Sequence, residues 1–246
     1  MAETLVLGHR GAPRVAPENT AAAFRAALQA GADGVELDVR QTLDGHLVCY
    51  HDAALGRTAR GDGLIQDLPL AALRELDAGD WHHPRFAGTR IPTLDEALAA
   101  LAPARLVEIE AKSPEGDRDL LLPSISDSLG AFLQARRDGP PVLVAAMQVH
   151  VLREIHEIAP AVPLAAIVAR SLAPPEWRFV LGLPLAVVSL GDEWATPARI
   201  ADAHAAGRAV HVWTVNDPDR ARRLRDLGVA ALISDDPASV AAAVRA

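Results

Sequence analysis

The sequence predicts an α/β fold closed as a (β/α)8 barrel, and three observations support that prediction. Short β-rich runs recur along the whole chain with helical patterns between them. Three segments, AALQAGADGVELDV, AHAAGRAVHVWTV and RLRDLGVAALISDD, repeat one plan in which a helical pattern passes through Gly into a strand. Eight such strands in 246 residues match the length of a single closed barrel. The alternative, an open doubly wound sheet, would carry a GxGxxG phosphate loop after its first strand, and the sequence has none there. Residues 1–246 are therefore read as one domain.

The first strand is expected at Leu5 to Gly8, ending in His9-Arg10-Gly11. Asn19 or Thr20 supplies the N-cap of the following helix, in which Phe24, Ala27 and Leu28 make an apolar stripe. The second strand, Gly34 to Val39, runs into Leu43-Asp44-Gly45-His46, where Asp-Gly signals a hairpin and His46 to Tyr50 is the return arm. Residues 53–92 are rich in Gly and Pro and too long for an ordinary connection, so they read as a small insertion after that hairpin. It is expected to cover the C-terminal mouth of the barrel, where such folds keep their sites. Pro92-Thr93-Leu94-Asp95-Glu96 then begins a helix. The remaining strands are expected at Arg105 to Ala111, Val142 to Met147, Leu164 to Ala169, Ala186 to Leu190, Ala209 to Val215 and Ala230 to Ser234. The helical pattern between them is weakest over Arg178 to Gly182. Gly31, Gly207 and Gly228 stand where a helix ends in a left-handed residue. Thr196-Pro197 and Asp217-Pro218 each offer an N-cap before a first-turn proline.

Hydrophobic residues make up 50% of the chain and aromatics only 4%, so the core must rest on Ala, Leu and Val. A formal net charge of -8 argues against nucleic acid or an anionic membrane as partner, since both call for clustered basic residues. A small soluble substrate fits better. Cys49 is the single cysteine, which excludes an internal disulfide and CxxC sites. The opening MAETLVLGHRG has no signal-peptide pattern, and no apolar run reaches the ~18 residues of a membrane span. A cytoplasmic setting without stable membrane association is the expectation. Of 24 basic residues, Lys112 is the only lysine. GxSxG, HExxH and P-loop motifs are absent, which removes three common hydrolase or NTPase classes.

The strand ends are polar in a way that a core does not require. Glu36 and Asp38 alternate with Val35, Leu37 and Val39, so both carboxylates share one face of the second strand. The hairpin returns His51-Asp52 to the same level. His9 and Arg10 end the first strand, and Glu108, Glu110 and Lys112 share a face of the third. Buried carboxylates need a cationic partner. Two partners are open at this point. One is a hard divalent cation, Mg2+ or Ca2+, among Glu36, Asp38 and Glu110. The other is an ion-pair cluster with Arg10, Arg40 and Lys112. His9 and His51 are suited to divide acid and base work near neutrality, and Arg10 and Lys112 to hold an anion. Such groups around one point are what phosphoryl transfer needs. His82-His83 and the helical His150, His156 and His204 read as solvated surface.

In this order and spacing the motifs closely resemble the glycerophosphodiester phosphodiesterase family. The resemblance spans residues 8 to 237 through His9-Arg10-Gly11, Pro17-Glu18-Asn19-Thr20, Glu36-Leu37-Asp38-Val39 and His51-Asp52, then Glu110-Ala111-Lys112, Trp213-Thr214-Val215-Asn216 and Ser234-Asp235-Asp236-Pro237. Arg57-Thr58, Gly79-Asp80-Trp81 and Ile91-Pro92-Thr93-Leu94 resemble the family's insertion. The resemblance implies a TIM-barrel enzyme that hydrolyses glycerophosphodiesters to sn-glycerol 3-phosphate and an alcohol with a divalent cation, Ca2+ or Mg2+. It implies Glu36, Asp38 and Glu110 as metal ligands, His9 and His51 as acid and base, and Arg10 and Lys112 on the phosphate. Trp213 would line the substrate side, while Glu18 and Asn19 would order the first loop. One departure stands out. Ala146-Met147-Gln148 replaces the Ser-Phe of many relatives, and Gln148 is expected to restore a polar substrate contact. Two rival readings are a lysophospholipase D-like enzyme, with Leu64, Trp81 and Phe86 as its apolar rim, and a non-catalytic glycerophosphate or metal binder, against which His9 and His51 speak.

Overall fold

The computed structural model describes residues 3–113 and 124–246. Strand β1 (Leu5–His9) and helix α1 (Ala21–Gln29) lead to β2 (Gly34–Gln41) and its antiparallel return arm β3 (Leu47–Cys49). The insertion carries the short α2 (Leu70–Arg74) and two 3-10 turns. Next come α3 (Leu94–Ala100), β4 (Leu106–Ala111), α4 (Ile125–Ala135), β5 (Val142–Ala146), α5 (Val149–Ile158), β6 (Leu164–Val168) and α6 (Pro174–Gly182). The chain continues through β7 (Val187–Gly191), α7 (Pro197–Ala205), β8 (Ala209–Trp213), α8 (Pro218–Asp226), β9 (Ala231–Ser234) and α9 (Pro237–Arg245).

The strands run β1-β9-β8-β7-β6-β5-β4-β2, and a parallel β1–β2 pairing closes them into the predicted eight-stranded barrel, with β3 hydrogen-bonded to the outside of β2. Predicted strands lie within about two residues of the observed ones, the ordinary uncertainty of element ends. The weak pattern at Arg178 to Gly182 belongs to a full helix, α6. Its prolines occupy the first turn, where their fixed φ suits a helix, and Trp177 and Val180 anchor it in the core.

Local signals act where the sequence places them. Thr20, rather than Asn19, caps α1 by accepting from the Ala23 N–H, and Thr93 with Glu96 forms a reciprocal capping box on α3. Thr196 and Asp217 cap α7 and α8. Gly31, Gly207 and Gly228 have φ of 88°, 72° and 79°, so each turns the chain from helix to strand in a conformation that side chains disfavour.

Strand alternation sorts the rest. Val35, Leu37, Val39, Val107, Ile109 and Val144 face the helices in one large apolar core. The opposite face fills the barrel, with Leu7, Ala231 and Ile233 in one small cluster and Leu143, Ala145, Ala165 and Val187 in another. Glu36, Asp38, Glu108, Glu110, Ser189 and His211 are buried among the same strands. The insertion has its own core of Val48, Tyr50, Ile65, Leu73 and Ile91, and it reaches the β1–α1 loop through His82 and Arg85, which bond the carbonyls of Pro13 and Val15. Among the described residues no helix is long and apolar enough to cross a membrane.

Candidate active site

Register assembles the site. His9 on β1 stands opposite Glu36 on β2, Glu36 opposite Glu108 on β4, and Asp38 opposite Glu110. The chain then turns sharply. Arg10 adopts a left-handed φ of 53° and donates its N–H to the main-chain oxygen of Glu36 (2.8 Å) and to Glu36 Oε2 (3.2 Å). At Gly11 any Cβ would lie 2.6 Å from the Ala23 backbone, so only glycine lets this loop pack on α1.

Both predicted histidines have an acid at Nδ1. His9 Nδ1 lies 2.7 Å from Asp235 Oδ1, and Asp235 in turn accepts from Asn216 Nδ2 at 2.8 Å. Burial pushes the Asp235 carboxyl up, but the hydrogen bonds from His9 and Asn216 outweigh it and hold the group below the usual range. His51 Nδ1 lies 2.6 Å from Asp52 Oδ1, and Arg40 Nε donates to the His51 carbonyl at 2.9 Å. Burial depresses the His51 imidazole, only partly offset by Asp38 and Asp52. Arg57 clamps Asp52 (Nε to Oδ2, 2.6 Å) and donates twice to Glu18, which also accepts from Arg10 Nη1 at 3.0 Å. A continuous charge network thus joins His51 to Arg10.

The acids form a separate, deeper group. Glu36, Asp38 and Glu110 each place an oxygen within 4.8 Å of the others, and all three are buried. Asn19 Nδ2 donates to Asp38 Oδ2 at 2.7 Å, while Asn19 Oδ1 accepts from the Asp38 N–H at 3.2 Å. Lys112 Nζ lies 3.0 Å from Asp38 Oδ1 and 2.7 Å from Glu110 Oε1, and Arg10 Nε lies 3.1 Å from Asp38 Oδ2. The ion-pair reading is thus realised for Arg10 and Lys112. Arg40 points instead at main-chain oxygens of His51 and Ser113.

Those two cations do not satisfy the cluster. Asp38 Oδ1 and Arg10 Nε are buried without a hydrogen bond of good geometry, although their charge partners are close. Burial, then the charges of Asp38 and Glu110, push Glu36 well above the normal carboxyl range; burial also raises Glu110. Asp38 moves the other way, because Lys112 and Arg10 more than offset its burial. Three carboxylates against two cations leave excess negative charge. The donors are hard oxygens at one point, so the residues fit a divalent cation of the Mg2+ or Ca2+ type.

His9, Arg10, Glu36, His51, Glu110, Lys112 and Trp213 line one cavity of about 60 Å3, with Asp38 buried behind them. Trp213, followed by a cis peptide to Thr214, donates its indole N–H to the Ser189 carbonyl (3.3 Å). Gln148 does not join them. It is exposed at the N-cap of α5, and Met147 takes the place at the cavity wall, because the turn after β5 directs only one of the two neighbours inward. His150, His156 and His204 are exposed, as expected, but His82 is packed between Trp81 and Phe86 and held to Pro13, so it is not a solvated residue.

Sequence reasoning missed the polar floor of the cavity. Glu108 accepts from Ser189 Oγ (3.3 Å) and pairs with His211 Nδ1 at 2.5 Å, with both residues buried. Alternation in AVHVW was the available signal, since it puts His211 on the face of Trp213. The Nδ1 partners Asp52 and Asp235 lay inside recognised motifs, but neither had a role beyond its motif.

Comparison with known proteins gives the chain its family. The model of the glycerophosphoryl diester phosphodiesterase family matches residues 9–239. A glycerophosphodiester phosphodiesterase of Caldanaerobacter subterraneus subsp. tengcongensis is 34% identical over 246 residues, covering 99% of this chain and 98% of the relative. An Oleispira antarctica phosphodiesterase, solved in complex with the product sn-glycerol-3-phosphate, superposes with a TM-score of 0.88 at 31% identity, over 99% of this chain and 98% of that one. The glycerophosphodiester phosphodiesterase of Agrobacterium tumefaciens gives a TM-score of 0.80 at 29% identity, covering 97% and 99%. With the strand-end motifs, the closed barrel and near-complete coverage in agreement, the chain belongs to the glycerophosphoryl diester phosphodiesterase family.

Proposed function

We propose that the protein hydrolyses glycerophosphodiesters to sn-glycerol 3-phosphate and an alcohol, with a divalent cation at Glu36, Asp38 and Glu110 and with His51 and His9 as base and acid. The observation that carries this reading is the meeting, in one cavity, of two acid-paired imidazoles, two cationic side chains and the three-carboxylate cluster. The product-bound Oleispira antarctica relative supports glycerol 3-phosphate as the retained half.

Arg10 and Lys112 receive the diester anion, Arg10 through its planar fork and Lys112 as a point charge. Their own carboxylate partners, Asp38 and Glu110, keep Lys112 protonated against its burial. A bound divalent cation would neutralise the acidic cluster and polarise a phosphoryl oxygen. His51, depressed by burial, is unprotonated near neutrality and takes the proton of the attacking hydroxyl. Asp52 at its Nδ1 assigns that nitrogen the hydrogen and leaves Nε2 as the acceptor. His9 returns a proton to the leaving alcohol oxygen, and Asp235 at its Nδ1 orients the ring for that transfer.

The test is release of sn-glycerol 3-phosphate from glycerophosphocholine and glycerophosphoethanolamine in chelator, then with Mg2+ or Ca2+ restored. Release is expected only with metal, and His9→Ala or His51→Ala is expected to lower kcat by ~10²–10⁴-fold while circular dichroism stays unchanged. Full activity in thoroughly chelated protein would return the three acids to ion-pair roles. Wild-type turnover in both histidine variants would sink the acid-base assignment.

A further inference from the structure

An apolar groove of about 630 Å3 opens beside the catalytic cavity, between the turn after β5 and helix α6. The two spaces adjoin, with Met147 and Ile167 bordering both. The groove is further walled by Val168, Leu172, Phe179 and Val180. Met147 and Phe179 are 46% and 59% exposed, although both are large and apolar and lie on the same groove. Contiguous exposed apolar surface of this kind marks a binding site, and the volume lies in the ~300–1,000 Å3 range of small-molecule sites. The rim charges do not compete for a ligand. Arg170 and Glu176 pair with each other at 2.7 Å, and Glu176 also accepts from the Ala173 N–H.

The two ends of the combined space differ in chemistry. The cavity floor carries Ser189 and the carboxylate of Glu108, which suit the hydroxyls of a polyol, whereas the groove, apart from the Arg170–Glu176 pair at its rim, is lined by hydrocarbon. A diester seated with its glycerol end on the polar floor extends its alcohol end over Met147. We propose that this groove is the alcohol subsite, and that the enzyme prefers glycerophosphodiesters whose alcohol carries a single hydrocarbon chain. This rests on the hydrolase reading above. In the overall reaction water supplies OH to phosphorus, the phosphorus–oxygen bond to the chain-bearing alcohol breaks, and that oxygen leaves with the second hydrogen of water.

The experiment uses glycerophosphate esters of ethanol, butanol, hexanol and octanol, with 1-octanoyl-glycerophosphocholine as the opposite arrangement. kcat/KM is measured with Mg2+ or Ca2+, and binding is measured by calorimetry in chelator. Each methylene entering the groove is expected to raise kcat/KM and affinity about fourfold until the groove is full. Phe179→Asp is expected to flatten that dependence and leave the ethyl ester unchanged. Equal kcat/KM and equal affinity across the series would overturn the proposal. A gain confined to the octanoyl compound would also overturn it, by placing the chain on the glycerol side. Chain-dependent binding without turnover would support the groove and reject the hydrolase reading instead.

Discussion

Asp235 and Asp52 hold His9 and His51 by the same nitrogen, Nδ1, which leaves Nε2 of each imidazole free of that partner although they arrive on different elements. A carboxylate in this position fixes the tautomer and stabilises the charged ring. Asp235→Asn is therefore expected to lower kcat about 10²-fold with KM nearly unchanged, measured by steady-state kinetics, because it removes the charge behind His9 and leaves Arg10 and Lys112, the groups proposed to hold the phosphate, in place. Glu108 and His211 are a different matter, since they pair beneath the reacting groups and are buried. Glu108→Ala leaves His211 and Ser189 without their partner and is expected to lower unfolding free energy by roughly 3–5 kcal/mol in a denaturant titration. Replacing both Glu108 and His211 by Leu should recover most of that loss, as apolar pairs of similar size often do.

At the scale of elements, the insertion is tied to the barrel mouth by a few polar bonds rather than by the main core. It packs on its own cluster, and Arg57 links its first residues to Glu18 of the β1–α1 loop. That bridge is half-exposed, so its share of global stability is small. Its local effect is larger, because it holds Asp52 behind His51 and Glu18 behind Arg10. Arg57→Ala is expected to lower kcat/KM about tenfold while the unfolding midpoint barely moves. The bridge also responds to acid. Glu18 and Asp52 are each raised by burial, but the hydrogen bonds of Arg57 carry both below their ordinary ~4.3 and ~3.9. Groups depressed in the folded state contribute fully above those values and lose the contribution as pH falls through the lowered ones. Limited proteolysis should therefore cut the insertion faster at about pH 3 than at pH 7, and Arg57→Ala should reduce that difference.

Across the whole molecule, the closed barrel makes the acidic cluster possible and also strains it. Glu36, Asp38 and Glu110 come from adjacent strands whose hydrogen bonds hold them together, so the carboxylates cannot move apart. Without a divalent cation their repulsion opposes folding, and a cation that bound only the folded chain would offset it. Mg2+ or Ca2+ at about 100 times Kd is expected to stabilise the protein by ~2.7 kcal/mol, visible as a rise in Tm by calorimetry. Glu36→Gln should abolish that rise and leave the chelated protein equally or more stable, since it replaces a carboxyl whose ionisation burial and its acidic neighbours already oppose. A Tm lowered by Glu36→Gln in chelator would mean that Glu36 serves mainly as a structural ion-pair partner.

Strand–helix alternation, Gly at helix ends, and Thr or Asp before first-turn prolines were enough to determine the barrel, because each is a local signal whose meaning does not depend on distant residues. The candidate site was legible for the same reason at the strand ends: His9, Glu36, Asp38, Glu110 and Lys112 come together where alternation points them inward. Contacts between segments far apart in the chain were decided only by the tertiary structure. His9 meets Asp235 across 226 positions, and Glu108 meets His211 across 103. Gln148 is exposed rather than at the substrate side, and Met147 lines the cavity instead, because a turn, not a strand, sets their directions. The groove behind Met147 arises from the packing of α6 on β6, which no periodicity specifies. Sequence patterns encode which face of an element is buried, and chain closure decides which buried faces meet.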